Sequence, residues 1–207
     1  MDFGKFLKKL WRFIWHEDSL LSWIVNIILA FVIVKFLLLP GLGLVLGTQF
    51  PLVAVVSGSM EHNSNFDDWW NDKGNFYERQ GLNKTDFENY KFKNGFNKGD
   101  VIILKRANNL KVGDVIVFQG DPKDPIIHRI IKISNNGYTT RGDNNLGTRL
   151  DEKDIVGDRV FGKAIFRIPY LGWVKISVLE VFYSITGGHP SDIQQGLPQN
   201  AINFDFR

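Results

Sequence analysis

The sequence predicts a mainly β domain that follows an N-terminal transmembrane helix and precedes a short interfacial helix. Between Asp18 and Glu61 the only charged side chain is Lys35, which is typical of a segment in contact with lipid. From Gly99 onward, short runs rich in Val and Ile alternate with turn residues, which is the pattern of β-strands. A later apolar stretch, residues 173–185, is too short to span a bilayer comfortably. The 207 residues leave room for about one domain with its appendages.

Composition argues against several classes of function. The chain contains no cysteine, so we expect no disulfides, no thiolate nucleophile and no Cys-based zinc site. Its four histidines lack the spacing of a metal-binding motif such as H-E-x-x-H, and we expect neither a metal nor a cofactor. The net charge of +3 is mild and the basic residues form no block with interleaved aromatics. Nucleic acid is therefore not an expected partner.

The first 39 residues predict how the chain meets the membrane. Residues 1–18 form a basic segment whose apolar positions recur every three or four residues, which predicts an amphipathic helix on the membrane surface. A disordered terminus is the alternative. Residues 19–39 are apolar almost throughout and match the roughly 20 residues that a transmembrane helix needs. The basic residues before this helix predict a cytoplasmic N-terminus, which leaves the remaining chain outside. These basic residues are Lys5, Lys8, Lys9 and Arg12.

Residues 40–172 are assigned to the β-rich domain. The Pro-Gly-Leu-Gly sequence at residues 40–43 is expected to break the transmembrane helix. Residues 44–50 remain apolar, which favours a strand lying on the membrane surface, with the end of a longer helix as the alternative. The domain is interrupted at about 61–98 by an insertion in which Asn, Lys, Phe and Gly dominate. We expect loops and short elements there.

Turn residues mark the starts of the predicted strands in this domain. Gly-Asp-Val-Ile occurs at residues 99–102 and again at 113–116, each time joining a turn pair to a β-branched run. Residues 126–133 form another such run, and Asn-Gly at 136–137 predicts a hairpin to residues 138–141.

The end of the chain predicts one more strand and a return to the membrane surface. Residues 160–168 predict a last strand. Residues 173–207 are then interpreted as an interfacial helix and a polar tail, because two charged side chains within residues 173–185 disfavour a second span, which is the alternative.

A Ser-Gly-Ser sequence at residues 57–59 lies where the apolar segment gives way to the β-rich domain. A serine hydroxyl needs a base to take its proton and donors to hold the oxyanion that forms. Ser59 is a candidate nucleophile, Ser57 could direct a second hydroxyl at the oxyanion, and His128 is a candidate base. Taken singly, an ordinary turn and a half-buried structural histidine are the alternatives.

Four motifs follow one another along the chain. They are Ser-Gly-Ser-Met-Glu at 57–61, Gly-Asp-Val-Ile-Val-Phe at 113–118, Ile-His-Arg-Ile at 127–130 and Gly-Asp-Asn-Asn at 142–145. In these motifs and their order the chain resembles type I signal peptidases, from the anchor through Gly172, with the insertion as an interruption. His128 is similar to the histidine of the archaeal and eukaryotic endoplasmic-reticulum enzymes, where bacterial enzymes have a lysine. The resemblance implies a signal-peptidase-like β fold.

The resemblance also implies a role for each motif. Ser59 would be the nucleophile and His128 the general base, while Ser57 and the Ser59 backbone amide would form the oxyanion hole. A downstream aspartate would orient the imidazole. His62, three residues after Ser59, is a rival base, although so close a residue seldom points back correctly.

Which aspartate orients the histidine stays open. The family motif is usually followed a few residues later by a second aspartate, but this chain has Arg149 at that position. A slightly longer loop would bring in Asp151 instead. We therefore expect Asp151 as the orienting acid and Asp143 as a necessary structural or electrostatic neighbour, with Asp143 as the alternative acid.

The implied activity is that of a membrane-bound serine endopeptidase that removes signal peptides from secretory preproteins. Preproteins and the lipid bilayer would be its partners, and further signal peptidase or translocon subunits stay open. The implied location is an archaeal cell membrane, with the endoplasmic reticulum membrane as the alternative. Two other interpretations are a non-catalytic membrane-anchored β-domain that binds a partner or nascent chain, and a self-cleaving protein of the related repressor type. The anchor argues against the latter.

Overall fold

A computed structural model describes residues 3–120, 125–173 and 176–177 of the protein. The chain divides into two compact units between Val45 and Leu46. The N-terminal helices are α1 (Phe3–His16), α2 (Leu20–Ile33) and α3 (Leu39–Leu46), with a π-helical turn at Val34–Leu38 between the last two. The interfacial helix and tail predicted over residues 173–207 lie outside the described residues, apart from Trp173, Ile176 and Ser177.

Helices α2 and α3 join into one apolar helix, Leu20–Leu46, of 27 residues with a mean hydropathy of 2.5. Within the described ranges it is the one helix that is long and apolar enough to cross a membrane. The prediction that residues 40–43 break the helix is wrong. The π-helical turn directly before Pro40 contains an extra residue, so the Leu39 N–H bonds to Val34 O. The wider turn accommodates the proline ring and its missing N–H.

Helix α1 is tied to α2 by side chains that reach its last carbonyl groups. Ser22 Oγ donates a hydrogen bond of 2.7 Å to Phe13 O. Asn26 Nδ2 donates one of 3.0 Å to Ile14 O. These donors satisfy carbonyls that a helix C-terminus leaves without intrahelical partners.

The second unit is built around one antiparallel sheet of six strands, which confirms the predicted β-rich domain in its coarse form. The strands are β1 (Leu52–Ala54), β2 (Val101–Lys105), β3 (Val115–Gln119), β4 (Pro125–Ser134), β5 (Gly137–Arg141) and β6 (Val160–Ile168). Their order across the sheet is β1-β2-β6-β3-β4-β5. The strand expected over residues 44–50 is absent, because the helix continues to Leu46 and the first strand begins only at Leu52. The predicted hairpin is confirmed, with Ser134 paired to Gly137.

The two Gly-Asp-Val-Ile copies form the same turn twice. Their glycines, Gly99 and Gly113, have φ angles of 89° and 93°, a region that residues with a Cβ rarely adopt. In each copy the aspartate side chain accepts a hydrogen bond of 2.9 Å from the backbone N–H three residues before it. The repeat is therefore a repeated turn that starts β2 and β3.

The insertion at 61–98 contains two helices, so the expectation of loops and short elements holds only in part. Helix α4 (Phe66–Glu78) begins at Asn65, whose side chain accepts the Asp68 N–H, and α5 (Lys84–Glu88) begins in the same way at Asn83. Both helices place aromatic side chains on the sheet. The buried members of this aromatic cluster are Trp69, Trp70, Tyr77 and Phe87, which pack with Ile131 of β4.

Candidate active site

Ser59 lies in a turn that β1 and the core hold in place. After β1 the chain stays attached to the sheet, because Val55 N–H donates a hydrogen bond of 2.8 Å to Asp100 O. Val55 and Met60 are buried in the same hydrophobic core on either side of the serine. The Glu61 N–H closes the turn by donating to Gly58 O at 3.1 Å. The serine is thus held between two buried apolar residues.

The structure brings Ser59 and His128 together. His128 lies on β4, is 4% exposed and directs Nε2 at Ser59 Oγ over 2.9 Å. The serine itself is only partly buried. A buried base beside a reachable hydroxyl is the arrangement that activates a serine nucleophile.

The second nitrogen of His128 meets Glu152 rather than an aspartate. His128 Nδ1 is hydrogen bonded to Glu152 Oε1, and Glu152 is fully buried. The other carboxylate oxygen of Glu152 accepts the Arg149 N–H at 2.7 Å. With Nδ1 donating to this carboxylate, Nε2 is left as the acceptor for the serine proton.

The sequence predicts an aspartate as the orienting acid, but the residue hydrogen bonded to His128 Nδ1 is Glu152. Asp151 forms an ion pair with Arg149 at 3.1 Å. Asp151 and Glu152 share the 3₁₀ turn Leu150–Glu152, where successive side chains point about 120° apart, so only one of them can face His128. Asp143, the other candidate, contacts a different set of groups.

Asp143 is the centre of a buried polar cluster. Its Oδ1 accepts hydrogen bonds from the Tyr77 hydroxyl at 2.8 Å and from Arg129 Nε at 3.0 Å. Its Oδ2 accepts from Arg129 Nη2 at 2.6 Å and lies 3.1 Å from His62 Nε2. Arg129 follows His128 in sequence, while His62 follows Ser59 by three residues. The carboxylate therefore joins the segments that carry Ser59 and His128.

Charge and burial have opposite effects on the pKa of Asp143. Burial by itself would raise the pKa of Asp143, but the Arg129 guanidinium and the hydrogen bonds from His62 and Arg129 hold that pKa below its usual range. Burial and the neighbouring carboxylate raise the pKa of Tyr77 well above its ordinary value. Asp143 is therefore ionised and the Tyr77 hydroxyl is protonated at neutral pH.

Asp143→Asn is expected to lower the free energy of unfolding by about 3–5 kcal/mol, because it leaves the buried Arg129 charge without its partner. The folded-state pKa of Asp143 lies below that of an aspartate in the unfolded chain, which is about 4. The stabilisation from ionised Asp143 is thus complete above about pH 4 and is lost as the pH falls towards the folded-state pKa. Chemical denaturation of the full chain in detergent, followed by tryptophan fluorescence, measures both effects.

The matched control is Asp67→Asn, because Asp67 forms an exposed ion pair with Lys84. We expect little change in stability from this control. The variant Asp143→Asn should also lose less stability than the wild type on acidification below about pH 4. Equal stability of Asp143→Asn and the wild type at neutral pH would contradict the role assigned to the carboxylate.

The loop at residues 142–145 is hydrogen bonded to the turn that carries Ser59. Asn144 N–H donates to Ser59 O at 2.8 Å, and Asn144 Nδ2 donates to Gly58 O at 3.1 Å. A Cβ at Gly142 would lie 2.7 Å from both His128 Nε2 and Ser59 O. Glycine is needed there because the loop backbone passes directly against Ser59 and His128.

Ser57 lies beside Ser59, whereas His62 lies in the buried cluster around Asp143. Ser57 Oγ is exposed and lies 3.2 Å from Ser59 Oγ, near enough to reach the oxyanion that would form on a carbonyl group attacked by Ser59 Oγ. His62, considered as a rival base, stacks on the Trp69 ring at 3.7 Å and directs Nε2 at Asp143. His62 is therefore committed to the buried cluster rather than to Ser59.

Sequence reasoning missed Glu152, Tyr77 and Asn144 as parts of this site. Glu152 and Tyr77 carry no motif signal, while Asn144 belongs to the Gly-Asp-Asn-Asn sequence, which gives it no role of its own. In the described part of the chain, no group of three or more His, Asp or Glu side chains is arranged to hold a metal ion. A scan against protein-family models found no match, and neither did a search among curated proteins.

Proposed function

We propose that this protein is a membrane-anchored serine endopeptidase that removes signal peptides from secretory preproteins, as type I signal peptidases do. The observation that carries the proposal is the series of hydrogen bonds from Ser59 through His128 to Glu152. Such a series activates a serine for acyl transfer in unrelated proteases. The order of the four sequence motifs along the chain favours the signal peptidase class over other serine hydrolases.

In the proposed reaction, Ser59 Oγ attacks the carbonyl carbon of the scissile peptide bond while His128 Nε2 takes the hydroxyl proton. Glu152 stabilises the imidazolium that forms, and the Ser57 hydroxyl with the Ser59 N–H stabilises the oxyanion. The imidazolium then gives its proton to the departing amine. A water molecule, deprotonated by His128, hydrolyses the ester and releases the signal peptide.

The apolar helix Leu20–Leu46 supports anchoring in a membrane. We propose that its N-terminal side, with Lys5, Lys8, Lys9 and Arg12, faces the cytoplasm and that the β-rich domain lies outside. The helix ends at Leu46 and β1 begins at Leu52, so only a few residues separate them.

The deciding experiment incubates the full chain, purified in detergent, with a preprotein that carries a signal peptide, and maps the products by mass spectrometry. We expect one cut at the end of the signal peptide. If the folded protein binds the preprotein without cutting it, alone or with candidate partner subunits added, the peptidase proposal is overturned. That result would favour the non-catalytic binding domain.

A further inference from the structure

Helix α4 of the insertion contacts the buried polar cluster around Asp143 through the hydroxyl group of Tyr77. Tyr77 is fully buried, and its ring lies 4.9 Å from that of Phe87 and 6.0 Å from that of Trp70. Packing of this kind fixes the ring, so the position of its hydroxyl is fixed as well. That hydroxyl donates to Asp143 Oδ1 at 2.8 Å.

Asp143 belongs to the loop that holds the reacting groups. The next residue, Asn144, binds Ser59 O at 2.8 Å through its backbone N–H. The preceding residue, Gly142, has no room for even a methyl group beside His128 Nε2. A shift of Asp143 would therefore move backbone that touches both Ser59 and His128.

A second contact joins the same helix to the same loop. The Arg141 guanidinium carbon lies 4.1 Å from the centre of the Phe76 ring and 4.8 Å from the centre of the Tyr77 ring. Arg141 Nη2 donates a hydrogen bond to Asn145 O. Cation–π contacts of a buried guanidinium favour one orientation of the side chain. Helix α4 thus holds both ends of residues 142–145, one through Tyr77 and the other through Arg141.

We infer that Tyr77 is a positioning residue of the proposed peptidase, acting through Asp143 and its loop on the separation of Ser59 and His128. This inference rests on the proposed function and gives the insertion at 61–98 a role in it. The insertion thereby supports the turn that carries Ser59, through Asp143 and Asn144. Tyr77 itself touches no reacting atom, and its contribution is geometric.

The test is Tyr77→Phe in the full-length protein, assayed on the preprotein below the unfolding temperature of every variant. We expect kcat to fall about tenfold with KM unchanged, because a small displacement of reacting groups slows the chemical step and leaves substrate binding intact. A purely structural role would lower the unfolding temperature and leave kcat at the wild-type value. That result would overturn the inference.

A matched control separates loss of the Asp143 contact from loss of a tyrosine hydroxyl in general. Tyr90→Phe removes a hydroxyl from a ring that packs on Phe87 in the same cluster, at 5.4 Å. We expect this control to keep kcat within about twofold of the wild type. An equal loss of kcat in Tyr90→Phe and Tyr77→Phe would overturn the specific role of the Tyr77 hydroxyl.

The same assay distinguishes failure of the inference from failure of the proposed function. If the wild type cleaves the preprotein and Tyr77→Phe cleaves it equally well, only the inference is wrong. If the folded wild type does not cleave, the proposed function is overturned, and the inference with it.

Discussion

Replacing Ser59 by alanine is expected to abolish cleavage of the preprotein, with kcat lowered by about 10⁵-fold or more. The hydroxyl that lies 2.9 Å from His128 Nε2 is the atom that would form the ester with the substrate. Without it, the remaining groups can stabilise an oxyanion but cannot form the covalent intermediate. Cleavage under single-turnover conditions, with the full chain in detergent, gives the rate of this step directly.

The matched control is Ser64→Ala, because Ser64 is an exposed serine in the same segment and its hydroxyl donates to Asn65 O at 3.3 Å. It should cleave at the wild-type rate. Ser57→Ala is expected to be intermediate, with a loss of about 10²–10³-fold, since it removes one donor to the oxyanion. Retention of signal-peptide cleavage by Ser59→Ala would contradict the role of Ser59 and favour a different nucleophile.

Most of the sheet could be predicted from sequence because its strands are short β-branched runs bounded by glycine and aspartate. The strand predicted over residues 160–168 and the hairpin around Asn136 are present as expected. The continuation of the helix through residues 40–43 could not be predicted in this way, because a helix can accommodate a proline where the preceding turn widens. The π-helical turn at Val34–Leu38 has no sequence signature that propensity reveals.

The meeting of Ser59 and His128 could be predicted only from the order of motifs, because the two residues are 69 positions apart in the chain. The identity of the acid that contacts His128 could not be predicted from the sequence. Asp151 and Glu152 are adjacent residues that carry the same chemical group, a carboxylate. The geometry of a single 3₁₀ turn decides which of the two is buried. The role of Tyr77 depends on packing between an inserted helix and β4, which no local pattern encodes.

Glu152→Gln is expected to lower kcat by about 10⁴-fold, although it changes a single atom of the side chain. The Arg149 N–H, 2.7 Å from Glu152 Oε2, requires an acceptor and would take the amide oxygen of the glutamine. The amide NH₂ would then point at His128 Nδ1 and force the proton onto Nε2. In that tautomer His128 cannot accept the proton of Ser59. The rate of cleavage across the pH range, compared with the wild type, measures the loss.

Asp151→Asn is the matched control, since Asp151 is the neighbouring carboxylate and pairs with Arg149, whose side chain is exposed. We expect its kcat to stay within about threefold of the wild type, because His128 keeps its buried partner. The reverse result, with Asp151→Asn inactive and Glu152→Gln active, would make Asp151 the orienting acid and require the turn at Leu150–Glu152 to rotate on substrate binding. Equal and large losses in both variants would mean that the turn as a whole, rather than one carboxylate, supports the base.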